Sequence, residues 1–153
     1  MRSVSLIALA AWLGASLLAS AVVAPAAFAV LPTRTLAGAL VGEVLPVLFV
    51  CGLVTGIVIC IWAWRRSASR LAAAGAGVQA LFTAAAQFVV GPRIHSLRES
   101  LGPVLDAVDP GDPRRVVFGR LHAVSVLLLG GAMLAGCVAI AGILRQRRAT
   151  ADI

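Results

Sequence analysis

The residues of this chain that are able to do chemistry are few, and they lie near the ends of long apolar runs. Arg120 and His122 stand at the head of an apolar run that continues to Leu144, and Ser125 follows them. An ionisable group in a membrane costs about 2.5 to 3.5 kcal/mol at the centre and less near the surface. We therefore expect Arg120 and His122 to lie close to a membrane surface and to face protein or water.

Other polar side chains that could join these residues come from three further apolar runs. In a bundle of four alternating spans, the ends of spans 1 and 3 and the starts of spans 2 and 4 meet at the same membrane surface. This topology predicts one polar cluster at that surface. Its candidate members are Glu43, Arg93, His95, Arg120, His122 and Ser125, with Arg34 and Gln87 beside them.

Three interpretations of this cluster stay open, in order of preference. The first is a structural network, in which Glu43 and the arginines neutralise one another and contact lipid phosphates. The second is a binding site for a small solute or an ion at the mouth of the bundle. The third is a metal or haem site that uses His95 and His122, with Glu43 as an oxygen ligand. It ranks last because the neighbouring arginines would repel a cation, so we expect no metal and no cofactor.

Helical spacing separates the two ionisable residues at the head of span 4. Residues three or four apart share a helix face, so His122 and Ser125 point to the same side. Arg120 points about 160° away from His122, since a helix has about 3.6 residues per turn. We expect His122 and Ser125 to face Glu43, with His122 more buried than Arg120 and within hydrogen-bonding reach of another span. The long Arg120 side chain then reaches lipid phosphate or a loop carboxylate.

No pattern in the chain is typical of an enzyme. The sequence has no Walker loop, no HExxH motif and no arrangement of serine, histidine and aspartate that indicates a catalytic triad. Cys51, Cys60 and Cys137 lie inside apolar runs without metal-ligand spacing, and buried cysteine commonly acts as a small apolar residue. We therefore expect a non-enzymatic protein without catalytic residues.

Composition indicates the class of protein that carries these residues. Of the 153 residues, 61% are hydrophobic and 12% are charged, and the mean hydropathy is +1.02. Such a chain has too little polar surface to cover a soluble globule. The net charge of +7 comes from arginines that cluster between and after the apolar runs, which is typical of topology signals and phospholipid contacts. We predict a polytopic membrane protein that does not bind nucleic acid.

The apolar runs predict an all-α, four-helix membrane bundle that forms a single domain. About twenty apolar residues cross a bilayer, and four runs reach that length. We place the spans at 3–29, 36–64, 71–91 and 116–144 of residues 1–153. Thr33 or Thr35, then Ser69, then Asp112 followed by Pro113, are suited to cap the starts of spans 2, 3 and 4.

The predicted ends of spans 1 and 3 both lie close to a proline. Ala27-Phe28-Ala29 fits a signal-peptidase site, but the apolar stretch before it is longer than the 7 to about 15 residues of a signal peptide, so we favour a retained helix. Pro25 is then absorbed by a kink or an early helix end. Gly91-Pro92 is expected to end span 3. Part of the polar segment 92–115 is expected to lie along the interface as a short amphipathic helix, broken at Gly102-Pro103.

Small residues recur along one face of span 2. Gly38, Gly42, Gly52 and Gly56 form two GxxxG pairs on this face. In lipid, helices associate through the close backbone contacts that small residues permit. We predict that these glycines pack against another helix. The same face could hold a second copy of the chain or another membrane protein, so these and the lipid bilayer are the expected partners.

The arginines also predict the orientation of the chain. Arg65, Arg66 and Arg70 lie in the short loop between spans 2 and 3, and further arginines follow span 4. Basic residues favour the cytoplasmic side, so we expect both termini there and the polar cluster outside. Since all basic residues are arginine and alanine is abundant, the sequence indicates a bacterium with a GC-rich genome. We therefore expect the bacterial inner (plasma) membrane.

Four segments of the chain together carry a family resemblance. They are Ala24 to Phe28, Leu36 to Gly42, Gly91 to Arg98, and the F-x-R-L-H-x-x-S motif from Phe118 to Ser125. In this order they resemble the transmembrane protein 205 family, whose bacterial members fall in domain of unknown function 4149. The resemblance implies a small four-span membrane protein, and eukaryotic members are linked to platinum-drug resistance. It implies no substrate, cofactor or catalytic residue.

From the sequence we thus expect a small inner-membrane protein of structural or interaction type. The alternative is a small-solute or metal-ion transport or resistance protein, with a polar site at the outer mouth of the bundle.

Overall fold

The computed structural model describes residues 2–66, 69–101, 109 and 111–149. Within these residues the chain forms helices and no strands. Four helices are long and apolar enough to cross a membrane, and we number them as spans 1 to 4. They are Arg2–Val30, Arg34–Arg65, Arg70–Leu101 and Pro113–Gln146. The helix of span 4 continues to Ala149. The predicted all-α membrane bundle is confirmed.

Side-chain caps mark the starts of spans 2, 3 and 4. The backbone N–H of Leu36 donates to Oγ1 of Thr33 at 3.2 Å, and that of Ala72 donates to Oγ of Ser69 at 3.2 Å. Asp112 Oδ1 accepts from the backbone N–H of Arg114 at 2.8 Å, and the helix begins at Pro113. These oxygens satisfy donors that have no partner inside the helix. The predicted caps are confirmed, with Thr33 rather than Thr35 at span 2.

Spans 1 and 3 each contain one widened turn, and each such turn precedes a proline. A π-helical turn covers Ala19–Val23 before Pro25, and another covers Ala86–Val90 before Pro92. Proline lacks the backbone N–H and crowds the preceding turn, and a local π turn re-satisfies the freed carbonyls.

The end predicted for span 3 at Gly91-Pro92 is therefore wrong. The helix continues as Gly91–Leu101, because the π turn accommodates the proline. The predicted break at Gly102-Pro103 and the rest of the amphipathic segment up to 108 lie outside the described residues.

Span 3 lies between spans 2 and 4, and span 1 packs against spans 2 and 4. Small residues permit these contacts. A Cβ atom at Gly56 would lie 2.8 Å from the carbonyl oxygen of Ala76, and one at Gly75 would lie 2.7 Å from that of Ala135. Such distances leave no room for a side chain. Spans 2, 3 and 4 thus meet backbone to backbone near the middle of the bundle.

Trp12 joins span 1 to span 2 at the second glycine pair. Its indole N–H donates to the carbonyl oxygen of Leu48 at 2.9 Å, and a Cβ atom at Gly52 would lie 2.7 Å from the indole ring. The Gly52 carbonyl also accepts from the buried Gln79 amide at 3.1 Å. Gly52 and Gly56 are therefore closely packed, by a ring and a helix backbone respectively.

Candidate functional site

All four spans contribute to one cavity, which lies where spans 1 and 3 end and spans 2 and 4 begin. It has a volume of about 570 Å³ and is lined by Phe28 of span 1 and by parts of 34–49, 86–98 and 115–125 of the other spans. We call it the end cavity. Because four sequence-distant segments build it, the alternation of the spans is what gathers its residues.

The end cavity is elongated along the helix axes. Its lining on span 2 extends from Arg34 to Phe49, a rise of about 22 Å at about 1.5 Å per residue. Its lining on span 4 extends from Arg115 to Ser125, a rise of about 15 Å. We define the shallow end by Arg34, Arg98 and Arg115, and the deep end by Phe49, Ala86 and Ser125.

The two ends of the cavity fall at different depths in a bilayer. Trp62, Trp64 and Arg65 mark the opposite membrane surface on span 2, as aromatic and basic residues do. About twenty helical residues cross the hydrocarbon core, so this core extends from Trp64 to about Leu45. Arg98, which lies beside Gly38 and Gly42, is then at the level of the lipid headgroups. Arg34 lies further toward water, and Phe49 at the deep end lies inside the hydrocarbon.

Arg98 is held in place by backbone carbonyls of span 2. Its guanidinium donates to the carbonyl oxygen of Thr35 at 2.9 Å and to that of Gly38 at 3.3 Å. A Cβ atom at Gly42 would lie 3.2 Å from Nη1 of Arg98, and one at Gly38 would lie 3.8 Å from Nη2. The first glycine pair therefore makes room for an arginine. The neighbour of Gly38 and Gly42 is thus a side chain of span 3 and not its backbone.

Four of the predicted site residues line the end cavity, and two do not. Glu43, His95, His122 and Ser125 belong to its walls, whereas Arg93 and Arg120 do not. Ser125 is buried, with 4% of its surface exposed.

His122 faces the cavity with Ser125, as its spacing predicts. Both His122 and Arg120 are exposed, so the greater burial of His122 stays a prediction. An open cavity leaves the imidazole accessible. No hydrogen bond joins His122 to another span among the described residues.

Ion pairs are sparse in the described part of the chain, and Glu43 belongs to none of those found there. Nδ1 of His95 lies 3.4 Å from Oε1 of Glu99, with both side chains largely exposed. Nη2 of Arg114 lies 2.8 Å from Oδ2 of Asp112. Exposed pairs of this kind contribute little to stability. The hydrogen bonds from Arg114 hold the pKa of Asp112 below its ordinary value.

Metal binding has little support from the geometry. The described residues contain no group of three or more histidine, cysteine, aspartate or glutamate side chains placed to hold a metal ion. The two candidate ligands, His95 and His122, share the cavity with three arginines, whose charge opposes that of a metal cation.

Sequence reasoning missed Arg98 and Arg115 as site residues. Gly91, Ile94, His95 and Arg98 all line the cavity, and their spacing of three and four residues is that of one helix face. This signal was present in the sequence. It was overlooked because the helix was expected to end at Gly91.

A comparison with known families identifies the family of the chain and leaves the site without a precedent. Residues 7–102 match the family described as Domain of unknown function (DUF4149). The chain belongs to this family. The match covers nearly all of spans 1 to 3, and the cavity residues of span 4 lie beyond it. No curated protein and no solved structure matches the chain.

Proposed function

We propose that this DUF4149 protein is a non-enzymatic membrane protein that binds a small molecule in the end cavity. The observation that carries the proposal is an open cavity lined by all four spans. At its shallow end, backbone carbonyls of span 2 hold Arg98 in place. The proposal corresponds to the small-solute interpretation of the polar cluster. It differs from a purely structural role, which would need no open volume at this position.

The size and lining of the cavity are those of a ligand site. Pockets that bind small molecules have volumes of about 300 to 1,000 Å³, mostly apolar walls and a few placed polar groups. The end cavity, at about 570 Å³, combines aromatic and aliphatic walls with carboxylate, imidazole and guanidinium side chains. Glu43 lies in this lining without an ion pair to another described residue, so its carboxylate remains able to orient a ligand.

The expected location follows from the arginine distribution. We place the protein in the bacterial inner membrane, with both termini cytoplasmic and the end cavity open to the outer side. The resemblance to the transmembrane protein 205 family is part of this proposal, since resistance to platinum drugs is a phenotype that a protein binding small molecules could produce. The alternative, an interaction protein whose exposed faces bind a partner, predicts that changes inside the cavity leave function intact.

A matched pair of substitutions tests the proposal. Gly42→Phe places a ring at the cavity wall, beside the guanidinium of Arg98, whose Nη1 lies 3.2 Å from the position of the new Cβ atom. Gly119→Phe is the control, since Gly119 is exposed, lies at a similar depth and does not line the cavity. A Cβ atom there would meet nothing within 4 Å.

The measurement is native mass spectrometry of protein extracted from its own membrane in mild detergent. We expect wild type and Gly119→Phe to carry a co-purified small molecule and Gly42→Phe to lose it. Equal adducts on all three proteins, or none on any of them, would contradict the proposal.

A further inference from the structure

Charge and apolar surface are separated along the end cavity. The shallow end carries three arginines, and the deep end is formed by Phe49, Ala86 and Ser125. Leu45, Pro46 and Phe118 extend the apolar wall between them. Gly38, whose carbonyl binds Arg98, lies about 16 Å from Phe49 along the helix axis. This separation of charged and apolar surface resembles that between the head and the tail of a lipid.

We propose that the ligand of the end cavity is an anionic amphiphile, with a phosphate or carboxylate head at Arg98 and a hydrocarbon tail toward Phe49. This inference rests on the proposed function, because it names the chemical class of the molecule bound at the same site. The head lies at the level of the lipid headgroups, and the tail lies at the level of the hydrocarbon.

The balance of charge in the lining favours an anion. The cavity walls contain three arginines, against the single carboxylate of Glu43. A guanidinium matches phosphate and carboxylate because its five N–H donors form a rigid planar fork. The guanidinium of Arg98 donates hydrogen bonds to the carbonyls of Thr35 and Gly38. These bonds fix its orientation before any ligand binds. A group held in this way loses less freedom on binding.

Glu43 and the deep end set the position of the two parts of the ligand. Glu43 lies about 7 Å further along span 2 than Gly38, whose carbonyl binds Arg98, so its carboxylate repels an anion from the part of the cavity beyond Arg98. Beyond Glu43 the polar side chains of the lining are those of Gln87 and Ser125, so a wholly polar solute that entered further would leave most of its polar groups without partners beside Phe49 and Ala86. A hydrocarbon chain gains free energy there because it leaves water.

The test compares probes that share one part and differ in the other. Purified, delipidated protein is titrated, by native mass spectrometry, with lysophosphatidylglycerol and with lysophosphatidylcholine of the same chain length. Glycerol phosphate is the head-only competitor. We expect wild type to bind the anionic lysolipid about ten-fold more tightly than the zwitterionic one, as for hydrogen bonds to charged groups. Affinity should increase with chain length, and glycerol phosphate should compete only weakly.

Two arginines on the same helix supply the matched variants. Arg98→Gln removes the charge inside the cavity and should weaken binding of lysophosphatidylglycerol about ten-fold, with lysophosphatidylcholine unaffected. Arg93→Gln makes the same change outside the cavity and should leave both affinities unchanged. The comparison of lysolipids on wild type needs no variant, so the inference stays testable even if Arg98→Gln is unstable.

The outcomes separate this inference from the proposed function. Equal affinity for the two lysolipids, or equal losses in Arg98→Gln and Arg93→Gln, would overturn an anionic ligand. Full competition by glycerol phosphate would assign the site to a free anion and overturn an amphiphile. In each case a co-purified molecule that Gly42→Phe removes would keep the proposed function intact. If Gly42→Phe neither removes such a molecule nor weakens binding of lysophosphatidylglycerol, both proposals fail.

Discussion

Gly38 and Gly42 lie on the same helix as Gly52 and Gly56 and have the same spacing. The two pairs nevertheless have different neighbours. At Gly56 an added Cβ atom would lie 2.8 Å from a carbonyl oxygen of span 3, whereas at Gly42 the nearest atom is Nη1 of Arg98 at 3.2 Å. A helix backbone cannot move aside without separating two spans, and the end of an arginine side chain can. A GxxxG pair thus indicates room beside a helix without specifying what fills it.

The two regions of span 2 differ in packing for the same reason. Around Gly56 the neighbours on span 3 are small, and Ala76 and Ala80 are buried there, so the backbones approach closely. Toward the other end, the larger side chains of Arg98 and Phe118 line the end cavity. One region contributes cohesion to the bundle, and the other leaves an open volume between the helices.

The largest expected effect concerns membrane topology, that is, which side of the membrane holds each end of the bundle. Ser67→Cys and Gly111→Cys are made separately, in a background in which Cys51, Cys60 and Cys137 are alanine. In intact cells, a membrane-impermeant maleimide should label Gly111→Cys and should reach Ser67→Cys only after permeabilisation. Labelling of both from one side would refute the four-span topology, and reversed labelling would refute the orientation alone.

The next effect contrasts the glycine pairs directly. Gly56→Leu should lower the free energy of unfolding by about 1 to 3 kcal/mol, the usual cost of overpacking, because the new side chain meets the backbone of Ala76 and Ala80. Gly42→Leu should cost clearly less, since only the end of Arg98 must move. The measurement is unfolding of both variants in the same detergent. Equal destabilisation would mean that both pairs pack against backbone in the membrane.

The smallest effect lies at the start of span 4, beside the end cavity. The carboxylate of Asp112 caps the helix and its pKa is lowered by hydrogen bonds from Arg114. Its contribution to stability is therefore present above the ordinary pKa of 3.8, and it is lost as the pH falls through the lower pKa of the folded protein.

Asp112→Ala should consequently reduce thermal stability slightly near neutral pH, and the difference from wild type should shrink below the ordinary pKa of the carboxyl group. Unfolding of both proteins over a pH series measures this. A difference that grows on acidification would contradict the cap. Because Asp112 lies in the loop, binding of lysophosphatidylglycerol should be unchanged, which separates the start of the helix from the cavity.

Much of the fold could be predicted because its signals are local. The spans are long apolar runs that match the bilayer thickness, and Thr33, Ser69 and Asp112 cap them through bonds to residues two or three positions away. The alternation of spans then predicts that Glu43, His95 and His122 lie at one end of the bundle. All three line the end cavity.

Only the tertiary structure could decide the features that depend on contacts between distant segments of the chain. Span 3 continues past Pro92 because a π turn precedes it, and this extension carries Arg98 to the carbonyls of Thr35 and Gly38. Periodicity identifies the residues on one helix face, but the rotation of each helix about its axis is set by packing against its neighbours. For that reason the sequence determined which residues could share a surface, and only the folded bundle determined that Gly42 lies beside an arginine and Gly56 beside a helix.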